Sequence, residues 1–236
     1  MLIINAKIPT VNLPVKRVLP KLFQSFVYTT LEDKEHEGYK HPNGKVFKSM
    51  NFRIVYRGNN LSIRYTALNK AHEKTIAQKI LFEGLKLGEI HIASTEVSLQ
   101  HRQALDSSIK VGGFVAAAIK DGNSSQKIYL EPKTHKFQEI ICNHTLQKYE
   151  ALFGRPYVGE FVLDTVGQKP RERIFSYEKG AIKSWYGVYE IKGTEEMLGM
   201  ILDTGLGAHG MQGLGFVEEI SNDYTGKKHY KVKSNG

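Results

Sequence analysis

Two histidines, His36 and His41, lie in a polar segment near the N-terminus, residues 32–45. Histidine suits proton transfer because its ordinary pKa is about 6.5, close to neutral pH. Glu35 and Glu37 flank His36 and favour its protonated, acidic form, whereas nearby lysines favour the neutral, basic form of His41. The pair therefore has the residue types of an acid and a base. The alternative interpretation is two surface histidines without a chemical role.

The same region supplies cations. Residues 38–72 carry no Asp or Glu, and aromatic residues are interleaved with the basic ones. Phosphates need cations and unstacked bases need flat apolar surfaces, so this pattern favours a nucleic acid. The alternative is a pair of strands with one solvated basic face. The basic residues of the segment are Lys40, Lys45, Lys48, Arg53, Arg57, Arg64 and Lys70.

The whole chain has 33 Lys and Arg against 24 Asp and Glu, a net charge of +9, which suggests a polyanionic partner. Residues 1–105 carry +8 of that excess. No apolar run approaches the roughly 18 residues of a membrane span, and no apolar leader opens the chain. A single cysteine, Cys142, excludes a disulfide framework and a cysteine-rich zinc site. We therefore expect a cytoplasmic protein with no membrane partner, no metal site and no cofactor.

The elements that must position these side chains occur in the same order twice. The first half is predicted to contain a helix over residues 15–26, a strand over 46–56, its hairpin partner over 61–67 and a helix that begins after Asn69. Two β-α-β-β-α-β series predict an α+β protein of tandem ferredoxin-like (RRM-like) domains, residues 1–105 and 106–236. The other predicted strands are residues 1–8, 89–99, 111–119 with an extra hairpin to 130, 157–166, 180–192 and 216–217, and the other helices are residues 137–153 and the segment after Thr194.

A glycine-rich segment near the C-terminus, residues 205–215, is called the glycine loop below. Gly205, Gly207 and Gly210 match the G-x-G-x-x-G pattern of dinucleotide sites. That pattern needs a strand before it and a helix after it, whereas here a helix precedes and a strand follows. The fuller pattern is two Gly-Leu-Gly triplets separated by five residues. So many glycines are entropically costly for a simple connection, and close approach of the backbone to a ligand explains them better.

This pattern resembles the glycine-rich loop of the CRISPR-associated endoribonucleases that cut precursor CRISPR RNA at its repeats. Those enzymes belong to a superfamily of repeat-associated proteins with tandem ferredoxin-like domains. The resemblance extends to the length, the element order, the basic N-terminal half and residues 36–48. It implies a metal-independent endoribonuclease whose substrate 2′-OH attacks the adjacent phosphorus, giving a 2′,3′-cyclic phosphate and a 5′-OH. The spacer of residues 208–212 has only His209 where the family usually has Lys or Arg.

The resemblance also implies roles for individual residues. It places the catalytic histidine in the loop after the first helix, as His36 or His41, with Tyr28 near the helix end and Lys48 as the cation. Expected partners are CRISPR repeat RNA, other subunits of an effector complex and a second copy of the chain. The alternative function is a non-catalytic RNA-binding subunit of such a complex. The predicted RNA-binding residues are Lys40, Lys45, Arg53, Arg57, Arg64, Gly205, Gly207, His209, Gly210, Gly213 and Gly215.

Overall fold

The computed structural model describes residues 1–8, 13–31, 33–92, 94–104, 106–120, 127–177 and 180–220. Within the described residues, the N-terminal half builds one four-stranded sheet with two long helices on it, and short hairpins extend it. Its elements are β1 (Leu2–Lys7), α1 (Leu13–Thr30), α2 (Asp33–Glu37), β2 (Tyr39–Lys40), β3 (Val46–Phe47), β4 (Met50–Arg57), β5 (Asn60–Ala67), α3 (Lys70–Glu83), β6 (Leu85–Leu87), β7 (Ile90–Ile92) and β8 (Thr95–Leu99).

The C-terminal half repeats this plan with a second four-stranded sheet and two further helices. One extra hairpin extends it, as the sequence predicted for the region up to residue 130. Its elements are β9 (Ser108–Val115), β10 (Ala118–Lys120), β11 (Lys127–Tyr129), α4 (His135–Phe153), β12 (Val162–Tyr177), β13 (Gly180–Lys192), α5 (Glu195–Thr204), a 3₁₀ turn (Gly210–Gln212) and β14 (Val217–Glu219).

The two sheets have the same strand order. The first runs β4-β5-β1-β8 and the second runs β12-β13-β9-β14, with every pairing antiparallel. In each, the first strand lies between the third and the fourth, which is the ferredoxin-like arrangement. The predicted fold class, α+β with tandem ferredoxin-like domains, is therefore confirmed. The boundary between residues 105 and 106 stays a prediction.

Several predicted strands are divided in the structure. The strand predicted over residues 46–56 breaks at Lys48 and Ser49, because β3 pairs with β2 and β4 pairs with β5. Residues 89–99 divide for the same reason, since β7 folds back on β6 while β8 joins β1. Residues 111–119 divide between β9 in the second sheet and β10 in its own hairpin. The segment 32–45, predicted as a loop, contains α2 and β2.

Local capping explains where three of the helices begin. The side chain of Asn69 accepts a hydrogen bond from the Ala71 amide at the start of α3. Thr134 does the same for α4, and Thr194 for α5. Such caps satisfy amide groups that have no partner inside the helix. Gly154 caps the C-terminal end of α4 and takes the left-handed conformation that side chains disfavour.

The glycine loop touches the hydrophobic cores of both halves. Leu206 packs in the C-terminal core, and Leu214 packs in a smaller cluster beside the second sheet. Met211, in the 3₁₀ turn between them, is buried in the core of the N-terminal half. The loop therefore packs between the two halves, and apolar side chains near both of its ends and in its middle stabilise it there.

Among the helices of the described residues, none is both long enough and apolar enough to cross a bilayer.

We predict that Gly205→Ala destabilises the protein strongly. Gly205 has φ of +76°, and a Cβ there would collide with the Asn51 side chain and the Gly215 carbonyl oxygen. We expect the free energy of unfolding in urea to fall by more than about 2 kcal/mol. The control is Gly199→Ala in α5, where a Cβ meets nothing within 4 Å and helix propensity gains up to about 1 kcal/mol. Equal unfolding midpoints for the two variants would contradict the tight packing.

Candidate active site

A cleft opens between the two halves and is called the central cleft below. Helix α1 and the β3–β4 link line it from the N-terminal half, and α4 and the glycine loop line it from the C-terminal half. No Asp or Glu is among the described residues that line it. Its chemically capable side chains are Tyr28, Lys48, His144, Lys148 and His209.

Tyr28, His36 and Lys48 meet beside this cleft. The rings of Tyr28 and His36 lie with centroids 4.8 Å apart, and the Lys48 ammonium lies 5.2 Å from the Tyr28 ring centroid. Lys48 Nζ also donates a hydrogen bond to the main-chain oxygen of His36. The His36 side chain is exposed, so that a ligand can reach its ring. Three of the four predicted catalytic side chains thus form one cluster, called the Tyr28 cluster below.

Burial changes the proton affinity of two groups in the Tyr28 cluster. Desolvation raises the pKa of Tyr28, which the side chain of Gln24 opposes. The Tyr28 hydroxyl has no hydrogen-bond partner among the described residues. Desolvation also lowers the pKa of Lys48, and the charge of Glu35 opposes that shift. At neutral pH the Tyr28 hydroxyl therefore keeps its proton and can donate it in a hydrogen bond.

Glu35 anchors the segment that carries His36. Its carboxylate is buried and accepts hydrogen bonds from the Tyr39 hydroxyl, at 2.8 Å, and from the Ser49 hydroxyl. These bonds connect α2 to β2 and to the start of β4. The Glu35 carboxylate is thus occupied with two hydroxyl groups, rather than with His36 as the sequence suggested.

His41 lies in a different environment from His36. Its Nε2 is 3.2 Å from a carboxylate oxygen of Glu150 in α4, and its Nδ1 accepts a hydrogen bond from the Asn43 amide. The side chain is only 12% exposed. Both ring nitrogens are therefore engaged, and His41 joins the β2–β3 hairpin to the C-terminal half.

The predicted RNA-binding cations are divided between free and paired positions. Arg53 donates to a Glu218 carboxylate oxygen at 3.1 Å, and Arg64 donates to the other oxygen of the same carboxylate. Lys45 donates to Gln147 of α4 at 2.9 Å. Lys40 and Arg57 are exposed. The paired arginines thus join β4 and β5 to β14, and direct contact with a ligand is easiest for the three exposed cations, Lys40, Lys45 and Arg57.

The glycines of the glycine loop serve mainly its own packing. Gly205, Gly207 and Gly215 are buried, and an added Cβ at each would collide with backbone oxygens. Gly210 and Gly213 are only half-buried, as is His209, whose φ of +68° is the left-handed conformation. The buried glycines can shape a binding surface without touching a ligand. Among the loop residues predicted to contact a ligand, Gly210, Gly213 and His209 lie on the partly exposed face of the loop.

Two C-terminal residues that line the central cleft, His144 and Lys148, are not among those predicted from the sequence. His144 is half-buried, and desolvation together with nearby Lys148 and Lys45 lowers its pKa to about 3. Lys148 is buried and donates hydrogen bonds to the C-terminal carbonyls of α5. A signal was present, because Phe137, Ile141 and Lys148 fall on one helical stripe and a charge there interrupts an apolar face.

No group of three or more His, Cys, Asp or Glu within the described ranges has an arrangement that could hold a metal ion.

Residues 113–219 match the family model described as CRISPR associated protein Cas6, C-terminal. A sequence search among curated proteins finds no match. Among solved structures, the product of a Cas6-related gene from Pyrococcus furiosus is 17% identical with a TM-score of 0.69, covering 94% of this chain and 99% of that one.

Two further solved structures are similar over nearly the same span. A RAMP protein binding different RNA substrates is 16% identical with a TM-score of 0.70, covering 93% of this chain and 98% of that one. A Cas6 product complex is 15% identical with a TM-score of 0.65 and the same coverage, 93% and 98%. At these identities the likeness shows the fold.

We predict that Glu35→Ala destabilises the N-terminal half. The substitution leaves the Tyr39 and Ser49 hydroxyls without their acceptor, so we expect the free energy of unfolding to fall by about 1–3 kcal/mol. Glu37→Ala is the matched control, since Glu37 is exposed in the same helix and should change stability by less than about 0.5 kcal/mol. Urea unfolding measures both variants. A Glu35→Ala variant as stable as the control would show that this anchor is unimportant.

Proposed function

We propose that this chain belongs to the Cas6 family of CRISPR-associated proteins and is a metal-independent endoribonuclease that cleaves CRISPR repeat RNA, because residues 113–219 match the C-terminal family model of Cas6. Its fold is that of solved Cas6 proteins. One similar structure is a RAMP protein binding RNA and another is a Cas6 product complex, and both support RNA as the ligand here. The excess positive charge of residues 1–105 supports the same ligand.

The proposed reaction is an internal transesterification. The 2′-oxygen of one nucleotide attacks the phosphorus that follows it while the bond from phosphorus to the 5′-oxygen of the next nucleotide breaks. A base takes the proton of the 2′-OH, and an acid gives a proton to the departing 5′-oxygen. The products are a 2′,3′-cyclic phosphate and a 5′-OH. Negative charge grows on the phosphate oxygens meanwhile, so cations and hydrogen-bond donors nearby lower the barrier.

The observation that carries this proposal is the meeting of Tyr28, His36 and Lys48 beside a cleft without acids. His36 transfers the proton, because its ring is exposed and an imidazole can both accept and donate a proton. The Tyr28 hydroxyl donates a hydrogen bond to a phosphate or leaving oxygen, since burial keeps it protonated. Lys48 holds the His36 backbone in place and adds positive charge beside the phosphate.

His36 is a better candidate than His41 for this proton transfer. A group that moves a proton must reach the reacting atom within hydrogen-bond distance. Both nitrogens of His41 contact protein groups, and its side chain is largely buried. We therefore assign His41 to positioning of the β2–β3 hairpin against α4, and His36 to the chemistry.

We predict that His36→Ala slows single-turnover cleavage of the repeat RNA encoded beside the gene by about 10²–10⁴-fold, the usual effect of losing a general acid or base. His41→Ala should slow it far less, and RNA binding measured by filter retention should persist in both variants. If His41→Ala has the larger effect, the two assignments are reversed. If neither variant slows cleavage by more than about threefold, the result favours either RNA binding without catalysis or cleavage by other residues.

We predict that cleavage requires the substrate's own 2′-OH and proceeds in EDTA. Replacing the 2′-OH at the cleaved position with hydrogen removes the nucleophile but leaves the phosphates, so that cleavage stops while binding is retained. The control RNA carries the same replacement one nucleotide further downstream and should be cut normally. Cleavage of the first RNA at the normal rate would contradict an internal nucleophile, and loss of cleavage in EDTA would contradict a metal-independent reaction.

A further inference from the structure

The glycine loop lacks the cation that a phosphate-binding loop is expected to carry. Its five-residue spacer has no Lys or Arg, and only His209 can become positively charged. The pKa of His209 is lowered by burial, with Gln212 opposing the shift, so this ring is mostly neutral at physiological pH. The positive charge for a phosphodiester at this loop must therefore come from another element.

Lys148 lies beneath the loop from helix α4. Its Nζ donates to the Gly205 carbonyl oxygen at 2.7 Å, to the Thr204 carbonyl oxygen at 3.1 Å and to the Thr204 hydroxyl at 3.4 Å. Gly205 is the first residue of the glycine loop, and both carbonyls belong to the negative end of the α5 dipole. We propose that Lys148 is a positioning residue that holds the glycine loop and supplies, from beneath it, the positive charge for the bound phosphodiester. This inference rests on the proposed RNA-binding function.

The charge of Lys148 has no carboxylate partner among the described residues, where only neutral oxygens accept its hydrogen bonds. A buried cation that is balanced only by carbonyl dipoles keeps most of its attraction for an outside anion, because little water screens it. This situation differs from that of Lys70, whose ammonium pairs with Asp203.

The surroundings of Lys148 also favour an anionic ligand. The central cleft that it lines has no acidic side chain among its described residues, and Lys48 faces it from the other half. Two further groups at this cleft, the Tyr28 hydroxyl and His144 Nδ1, are buried and have no hydrogen-bond partner within the part of the chain that the structure describes. Unsatisfied polar groups of this kind are costly unless a ligand or water completes them. Phosphate and ribose oxygens are suitable partners.

Burial lowers the pKa of Lys148 to about 7. The free protein therefore loses this charge as the pH rises above about 7, whereas a nearby phosphate favours the charged form and raises the pKa in the complex. Binding thus takes up a proton, and affinity falls with rising pH. His144 is neutral throughout this range, because its pKa is about 3. The titratable or charged groups on neighbouring elements are Tyr28, Lys45, Lys48, Asp203 with Lys70, and His209.

The test measures binding of repeat RNA that carries 2′-deoxyribose at the cleaved position and is therefore not cut. Wild-type affinity should weaken about tenfold between pH of about 6.5 and 8.5, as expected for uptake of one proton. Lys148→Arg keeps a permanent charge and should show a clearly smaller change. Lys148→Met should bind about tenfold more weakly than wild type at the lower pH and should also lose the pH dependence.

The matched control is Lys136→Met, an exposed lysine of the same helix, which should retain the wild-type profile. Thermal unfolding of each variant at both pH values shows that folded proteins are compared. Because the wild type and Lys148→Arg share every other titrating group, the difference between their profiles isolates Lys148. Parallel profiles for those two proteins would overturn the inference alone. Failure of the wild type to bind this RNA at either pH would overturn the proposed function and this inference with it.

Discussion

The glycine loop packs between two separate hydrophobic cores, and the other features of the structure depend on that packing. Met211 is buried in the N-terminal core, and Leu206 is buried in the C-terminal core. Only a tightly folded segment can serve both within so few residues, and this is why its buried glycines approach other backbone so closely. The relative position of the halves, and hence the width of the central cleft, depends on this packing.

Hydrogen bonds fix the position of the glycine loop between the two halves. The carbonyl of Thr204 receives hydrogen bonds from Lys148 of one half and from Asn51 of the other, at 3.1 and 3.4 Å. Asn51 lies two residues after Ser49 in the chain. The Ser49 hydroxyl donates a hydrogen bond to Glu35, which anchors the segment that carries His36. Apolar packing supplies most of the attraction, and these directional bonds select one arrangement. The proposed cleavage requires well-defined positions of the reacting groups, because proton transfer tolerates little displacement of these groups.

Some residues of the candidate site can be recognised from sequence patterns and others cannot, for identifiable physical reasons. Lys48 was found because a charge interrupts the apolar side of its predicted strand, and the structure places it against Tyr28 and His36. The same rule applied to the stripe of α4 would have found Lys148. The pairing of Arg53 and Arg64 with Glu218 had no local signal, since these residues are more than 150 positions apart.

Sequence by itself determined the repeated element order, the concentration of positive charge in the first half and the glycine loop, because periodicity, composition and short motifs are local properties. The strand breaks at Lys48 and Ser49 came from the choice of pairing partner, which no local pattern encodes. The tertiary structure also gave two similar histidines different surroundings. It engaged both nitrogens of His41 and left the His36 ring exposed beside Tyr28. Accessibility of a ring nitrogen depends on what packs against it, and the residues that pack there come from distant parts of the chain.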